Sequence, residues 1–200
     1  MSRIALAVSG VLFLLYPVLR PWDDETTAAG AHDAMASAAW VASHLFAMLG
    51  FVLVGLALLG LRDLVGTTPV AVMWAGAGLT LPYYGAEDFG LHAAATTGGT
   101  DLLAVAEATR YGPVAMSMFG IGLVALAVGA VLVALAVRRP SAWVFAAGFV
   151  LFLPQFFTPA PLRIAHGVLM LVGLVWLALD TRTDVRTAVK TDQVTGELTR

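Results

Sequence analysis

Six apolar stretches, separated by short polar or Gly- and Pro-bearing connections, dominate the chain at 4–19, 36–61, 69–91, 113–137, 142–157 and 162–179. A helix rising about 1.5 Å per residue needs about 20 residues to cross a hydrocarbon core of about 30 Å. The second, third and fourth stretches reach that length. The first, fifth and sixth fall short and are expected to borrow flanking residues or thin the bilayer locally. Helices are the expected form because backbone facing lipid must satisfy its own hydrogen bonds. The pattern predicts an all-α integral membrane protein, a six-transmembrane-helix bundle over 1–180. The tail over 181–200 mixes both charges with threonine and is expected to be polar, disordered and cytoplasmic.

Composition reinforces this reading. The chain is 60% hydrophobic and 12% charged with a mean hydropathy of +0.87, whereas soluble domains carry about 25% charged residues. A net charge of −2 offers no footprint for nucleic acid. The bilayer is the expected partner, and a protein partner or a second copy of the chain stays open. The absence of cysteine removes disulfides, thiolate ligands and cysteine nucleophiles together.

Arg3, Arg62, Arg138, Arg139, Arg182, Arg186, Lys190 and Arg200 fall on one predicted side of the bundle, against Arg20, Arg110 and Arg163 on the other. The positive-inside rule therefore places both termini in the cytoplasm. The acidic loop at 20–33 and the connection at 93–112 then lie outside. Within the latter, Thr100 or Asp101 is a candidate cap for a short helix, Leu102 to Tyr111, between the third and fourth crossings. The first stretch reads as an uncleaved anchor, since the small-residue site Ala29-Gly30-Ala31 lies far beyond its end. One lysine against ten arginines, with abundant Ala, Gly and Val, is the usage of a GC-rich genome and directs the expectation to a bacterial plasma membrane.

A Gly-to-Pro pattern recurs in the odd stretches (Gly10 to Pro17, Gly78 to Pro82, Gly148 to Pro154), and the even ones end near Arg62, Arg138 and Arg182. This suggests three tandem two-helix hairpins. Small residues at Ala39, Ser43 and Ala47, and at Ala71, Ala75, Gly76 and Gly78, are expected to let helices approach closely within the bundle. Trp22, Trp40, Trp143 and Trp176 read as interfacial anchors.

The ionisable residues exceed what a generic bundle needs. His44, Tyr84, Glu87, Asp88, His92, Gln155, Arg163 and His166 fall toward the outer side on four helices. At about 1.5 Å per residue His44 is roughly 12 Å deep. Charged groups at such positions cost about 2.5–3.5 kcal/mol at a helix centre, so they should face inward and find partners. Arg163 is expected to pair with Asp88 or Glu87. Tyr84, Asp88 and His92, spaced i, i+4, i+8, form one stripe if the helix continues past Pro82, with Gly85 and Gly90 as candidate break points.

Three functional classes follow. His44, Asp88, His92 and His166 supply donors of the right type for a metal, and His44 with His166 for haem. The same layer can line the cavity of a small proton-linked carrier or sensor. The third class is a non-enzymatic assembly or structural partner. No Gly-x-Ser-x-Gly elbow, P-loop or dinucleotide fingerprint is present, so no cofactor and no enzymatic activity is assigned.

Overall fold

Helix follows helix along the entire computed structural model, which describes the backbone to Leu198 and the side chains to Thr181; strands are absent among the described residues. Helices α1 (Ser2–Leu19), α3 (Ala38–Leu59), α8 (Pro113–Val137) and the Ala160–Thr181 part of α11 (Ala160–Leu198) are long and apolar enough to cross a membrane. Leu45, Leu49 and Leu56 of α3, Val124 and Val128 of α8, and Val168 and Val172 of α11 are exposed. Their four- and seven-residue spacing gives each helix an apolar outer stripe, which suits lipid and not water.

The remaining segments depart from uniform crossings. Helix α5 (Thr67–Gly85) is more polar and holds Pro82, while the expected fifth crossing divides into α9 (Pro140–Val150) and α10 (Phe152–Gln155). Gly85 and Gly90 do not break the third segment. A π-helical turn, Ala86–Gly90, carries it into α6 (Leu91–Thr97). At the other end Arg138 takes the left-handed conformation (φ 56°) that stops α8, and Pro140 starts α9 two residues later. The short α4 (Arg62–Val65) joins α3 to α5. The expected disordered tail lies, beyond Thr181, outside the residues whose side chains are described.

The long helices form a ring in which α1 packs on α3 and α11, α3 on α5, α5 on α8, α8 on α9, and α9 on α11. Gly76 and Gly122 set the closest approach of α5 to α8. A Cβ on Gly76 would stand 2.7 Å from the Leu126 backbone nitrogen, and one on Gly122 3.0 Å from the Gly76 carbonyl oxygen. The small-residue expectation thus holds for Gly76, and for Ser43 and Ala47, which are buried. It does not hold for Ala71, Ala75 and Gly78, which are exposed, because the contact face of α5 runs through Met73, Gly76 and Thr80.

A second, smaller core caps one end of the ring. Ala31, Ala34 and Met35 of α2 (Ala28–Met35) pack with Leu91 and Ala95 of α6, Ala106 of α7 (Leu102–Tyr111) and Trp40. Helix α7 matches its predicted bounds, and Asp101 is the cap, accepting from the Ala104 N–H at 3.1 Å. Helix α2, in the expected acidic loop, is an addition: Thr27 Oγ1 accepts from the Gly30 N–H at 3.1 Å and starts it.

Candidate functional site

Between this cap and the ring lies a cavity of about 510 Å³. Tyr16 and Arg20 reach it from the end of α1, His44 from α3, Tyr83 and Tyr84 from α5, and Glu87 from the π turn. Arg110 reaches it from α7, Phe119 and Gly120 from α8, Phe156 from just after α10 and Arg163 from α11. The size is that of small-molecule sites. Beneath it, Phe13, Phe51 and Phe152, each no more than 2% exposed, meet edge to face or tilted at ring-centroid distances of 5.0–5.8 Å. These rings close the floor under Tyr16 and Tyr84.

A charged lattice forms the roof. Arg110 makes a two-pronged bond with Glu87, Nε to Oε1 at 2.6 Å and Nη2 to Oε2 at 2.9 Å, and reaches Glu25 at 2.8 Å. Arg20 holds the other Glu25 oxygen at 2.6 Å. The Trp40 ring lies under both guanidiniums, 5.0 Å from that of Arg20 and 5.8 Å from that of Arg110. Its Nε1–H donates to the Glu87 carbonyl at 2.9 Å. Trp40 is therefore no interfacial anchor; it is fully buried, whereas Trp22, Trp143 and Trp176 are 37–48% exposed.

Burial alone would raise the Glu25 carboxyl, but Arg20 and Arg110 hold it below its ordinary 4.5. Burial would likewise lower Arg110, and Glu87 and Glu25 instead push it up. A carboxyl depressed in the folded protein contributes stability that is complete above its ordinary value and is lost as pH falls through the depressed one. The Glu25 contribution to thermal stability should thus be constant from neutral pH to about 4.5 and be lost below it, so the difference in stability between wild type and Glu25→Gln should shrink over that acid range. An acid limb of unchanged steepness in the variant would detach Glu25 from the effect.

The predicted polar layer is divided among separate places. His44, Tyr84, Glu87 and Arg163 meet at the cavity. Gln155 and His166, with Arg163 again, border a crevice of about 10 Å³. Asp88 and His92 line neither. Adjacent helical residues diverge by about 100°, so of the acidic pair only Glu87 turns to the cavity, and the expected Tyr84–Asp88–His92 stripe does not form a single lining. Asp88 is fully buried and its carboxylate accepts no hydrogen bond.

The expected pairing of Arg163 is corrected too. Arg110 takes Glu87, and Arg163 instead donates from Nε to the Thr158 carbonyl at 3.1 Å and from Nη2 to the Phe156 carbonyl. Its guanidinium lies over Trp22 and Phe156 at 5.4 and 5.7 Å. Each candidate histidine ligand donates a ring N–H to a carbonyl at 2.8 Å: His44 Nδ1 to Trp40, His92 Nδ1 to Met35, His166 Nε2 to Gly148. Among the described residues no three His, Asp or Glu side chains converge as a metal-holding group.

Sequence reasoning missed Arg20, Glu25 and Arg110 as site residues. The usable signal was that Arg20 and Arg110 stand on the arginine-poor side of the bundle. A cation left there asks for a local carboxylate, and the neighbouring loop supplies Glu25.

Four apolar helices point to a helical membrane protein, and its capped end holds a ligand-sized cavity with an ionic roof and aromatic walls. No known family model, curated protein or solved structure matches the chain.

Proposed function

We propose that this chain is a six-crossing plasma-membrane protein of bacterial type, with both termini cytoplasmic, that binds a small ligand in the capped cavity from the outer side. Helices α5 with its π-helical extension, and α9 with α10, supply the third and fifth crossings, which makes three tandem hairpins of the ring. The observation that carries the binding reading is the cavity itself: about 510 Å³, ringed by seven helices and the π turn, and closed below by buried phenylalanines. That floor favours a receptor or sensor over a channel, because buried phenylalanine rings pack directly against Tyr84 and against one another beneath the cavity. The placement of the candidate ligands on backbone carbonyls favours an organic ligand over a bound metal.

Gly120 supplies the test. It lines the cavity, and a Cβ there meets nothing within 4 Å, so Gly120→Leu fills the space while replacing a helix-weakening glycine. The expected outcome of a small-molecule thermal-shift screen on the purified full chain is at least one compound that stabilises the wild type and not Gly120→Leu. Identical profiles for the two proteins would remove the binding reading.

Topology is testable on the same protein, since a chain without cysteine has no labelling background. A membrane-impermeant maleimide should modify Thr100→Cys in intact cells, and Thr68→Cys only after permeabilisation. The reverse pattern would invert the assignment.

A further inference from the structure

Three arginines border the cavity, and they are not equivalent. Arg20 and Arg110 are neutralised by Glu25 and Glu87. Arg163, the third, has no carboxylate within ion-pair distance among the described residues; its Nε and Nη2 are held by backbone carbonyls. Asp23 stands on the rim, exposed, and forms no ion pair there. The charge that is both unpaired and withdrawn from solvent beside the cavity is thus that of one guanidinium, fixed in place by its two backbone bonds and by the rings of Trp22 and Phe156, while the unpaired Asp23 carboxylate stands out in solvent at the rim.

A second observation is independent of that charge. Tyr84 lines the same cavity, is 2% exposed, and its hydroxyl, whose polar neighbour is the Tyr16 hydroxyl, completes no hydrogen bond of normal geometry. A buried hydroxyl that completes no hydrogen bond leaves its desolvation uncompensated, so an acceptor arriving from outside the chain supplies the bond that folding left unmade. Arg163, Tyr16 and Tyr84 line the same cavity, which puts donor and cation around common space. The remaining wall is apolar: Tyr83 stacks on Phe119 at 4.0 Å, and Phe119 meets Phe156 at 5.5 Å. The wall continues to Met116 and Phe157, which are 45% and 84% exposed.

We propose that the cavity takes an organic anion with an apolar body, its acid group received by the Arg163 guanidinium and the Tyr84 hydroxyl and its body lying along the Phe119–Phe156 wall toward Phe157. This rests on the binding reading above and specifies its ligand class. A cationic ligand inside the cavity would have to displace Arg20 or Arg110 from carboxylates they already hold at 2.6–2.9 Å, since the free carboxylate of Asp23 is exposed at the rim. A neutral apolar one would leave Arg163 and Tyr84 unserved. An acid on an apolar chain can arrive from water or as an anionic lipid of the surrounding leaflet, and the shared chemistry is the acid group and its tail.

The experiment uses the full chain in phosphatidylcholine nanodiscs, with thermal unfolding as the readout. The added probes are decanoate, decanol, decyltrimethylammonium and, in separate discs, phosphatidylglycerol. Decanoate should stabilise the wild type with decanol and decyltrimethylammonium well behind, and its apparent Kd should weaken about tenfold or more in Arg163→Gln, as the loss of a charge-assisted bond predicts. Tyr84→Phe should weaken it several-fold, which keeps the proposal testable if Arg163→Gln folds poorly. Stabilisation by phosphatidylglycerol at least matching that by decanoate would assign the lipid source, and decanoate alone the soluble one; both uphold the class. Equal stabilisation by all three decyl probes, abolished by Gly120→Leu, would overturn the anion while leaving the cavity a binding site. No stabilisation of the wild type by decanoate or phosphatidylglycerol overturns the anion, and a screen in which Gly120→Leu and wild type also behave alike ends both readings.

Discussion

Arg110→Met lowers the stability of the purified protein by about 3–5 kcal/mol, the usual result of removing one member of a buried ion pair and leaving the other without a counter-charge. Glu87 loses its ion-pair partner outright here, and Glu25 is left with Arg20 alone. Glu87 is 8% exposed at its side chain and Glu25 15%, and Arg110 alone bridges them. Methionine keeps much of the arginine's apolar stem, so the loss reports charge and not volume. Because α7 delivers Arg110 while the π turn carries Glu87, the variant should loosen the cap first, seen as faster amide exchange in α2, α6 and α7 than in α8. Adding Glu87→Gln should recover part of the loss, since it removes the stranded charge. Arg62→Met serves as control: its pairing with Asp63, at 3.8 Å, is exposed at both side chains. A loss for Arg110→Met no greater than for the control would show that the roof is not held by this lattice.

Trp40→Ala has the second large effect, about 3–5 kcal/mol for deleting a fully buried large aromatic side chain. Trp40 belongs to the cap core, and its ring also supports the Arg20 and Arg110 guanidiniums and packs on His44 at 4.4 Å. Trp40→Phe separates these contributions. It keeps most of the volume and loses the Nε1–H donated to the Glu87 carbonyl, with an expected loss of about 1–3 kcal/mol. Chemical unfolding of both variants in lipid micelles reads the difference. Equal losses for Phe and Ala would mean that the hydrogen bond, and not the packing, is what Trp40 contributes.

Solvent and element type were legible in the chain, since a run of about 20 apolar residues has few stable forms other than a helix in lipid. Helices α1, α3, α7, α8 and the start of α11 fall within about two residues of where the pattern of apolar residues, caps and prolines placed them. The Asp101 cap is a local event, decided by a side chain and an N–H three residues away, and local events are readable from order alone. Helix α2 had equally local signals, Thr27 as a cap and Ala31, Ala34 and Met35 on one face, that the acidic neighbourhood obscured.

The candidate site was half legible. His44, Tyr84, Glu87 and Arg163 were marked by being ionisable or polar in an apolar run, and they do share the cavity. Their partners were not. Glu87 meets Arg110 across 23 positions in sequence, and its neighbour Asp88, chemically as good a partner, turns away.

What the sequence by itself determined, then, is an all-helical chain with apolar helices suited to a membrane and ionisable groups gathered toward one end, because hydropathy and helical period act within a few turns. Only the tertiary structure decided which acid meets which arginine, that Trp40 lies under the charged roof and not at an interface, and that Arg163, without an ion-pair partner, shares a cavity with the buried Tyr84 hydroxyl. Those outcomes depend on how far each helix is rotated about its axis and on how the cap folds over the ring, and rotation and docking are settled by long-range packing that no local pattern encodes.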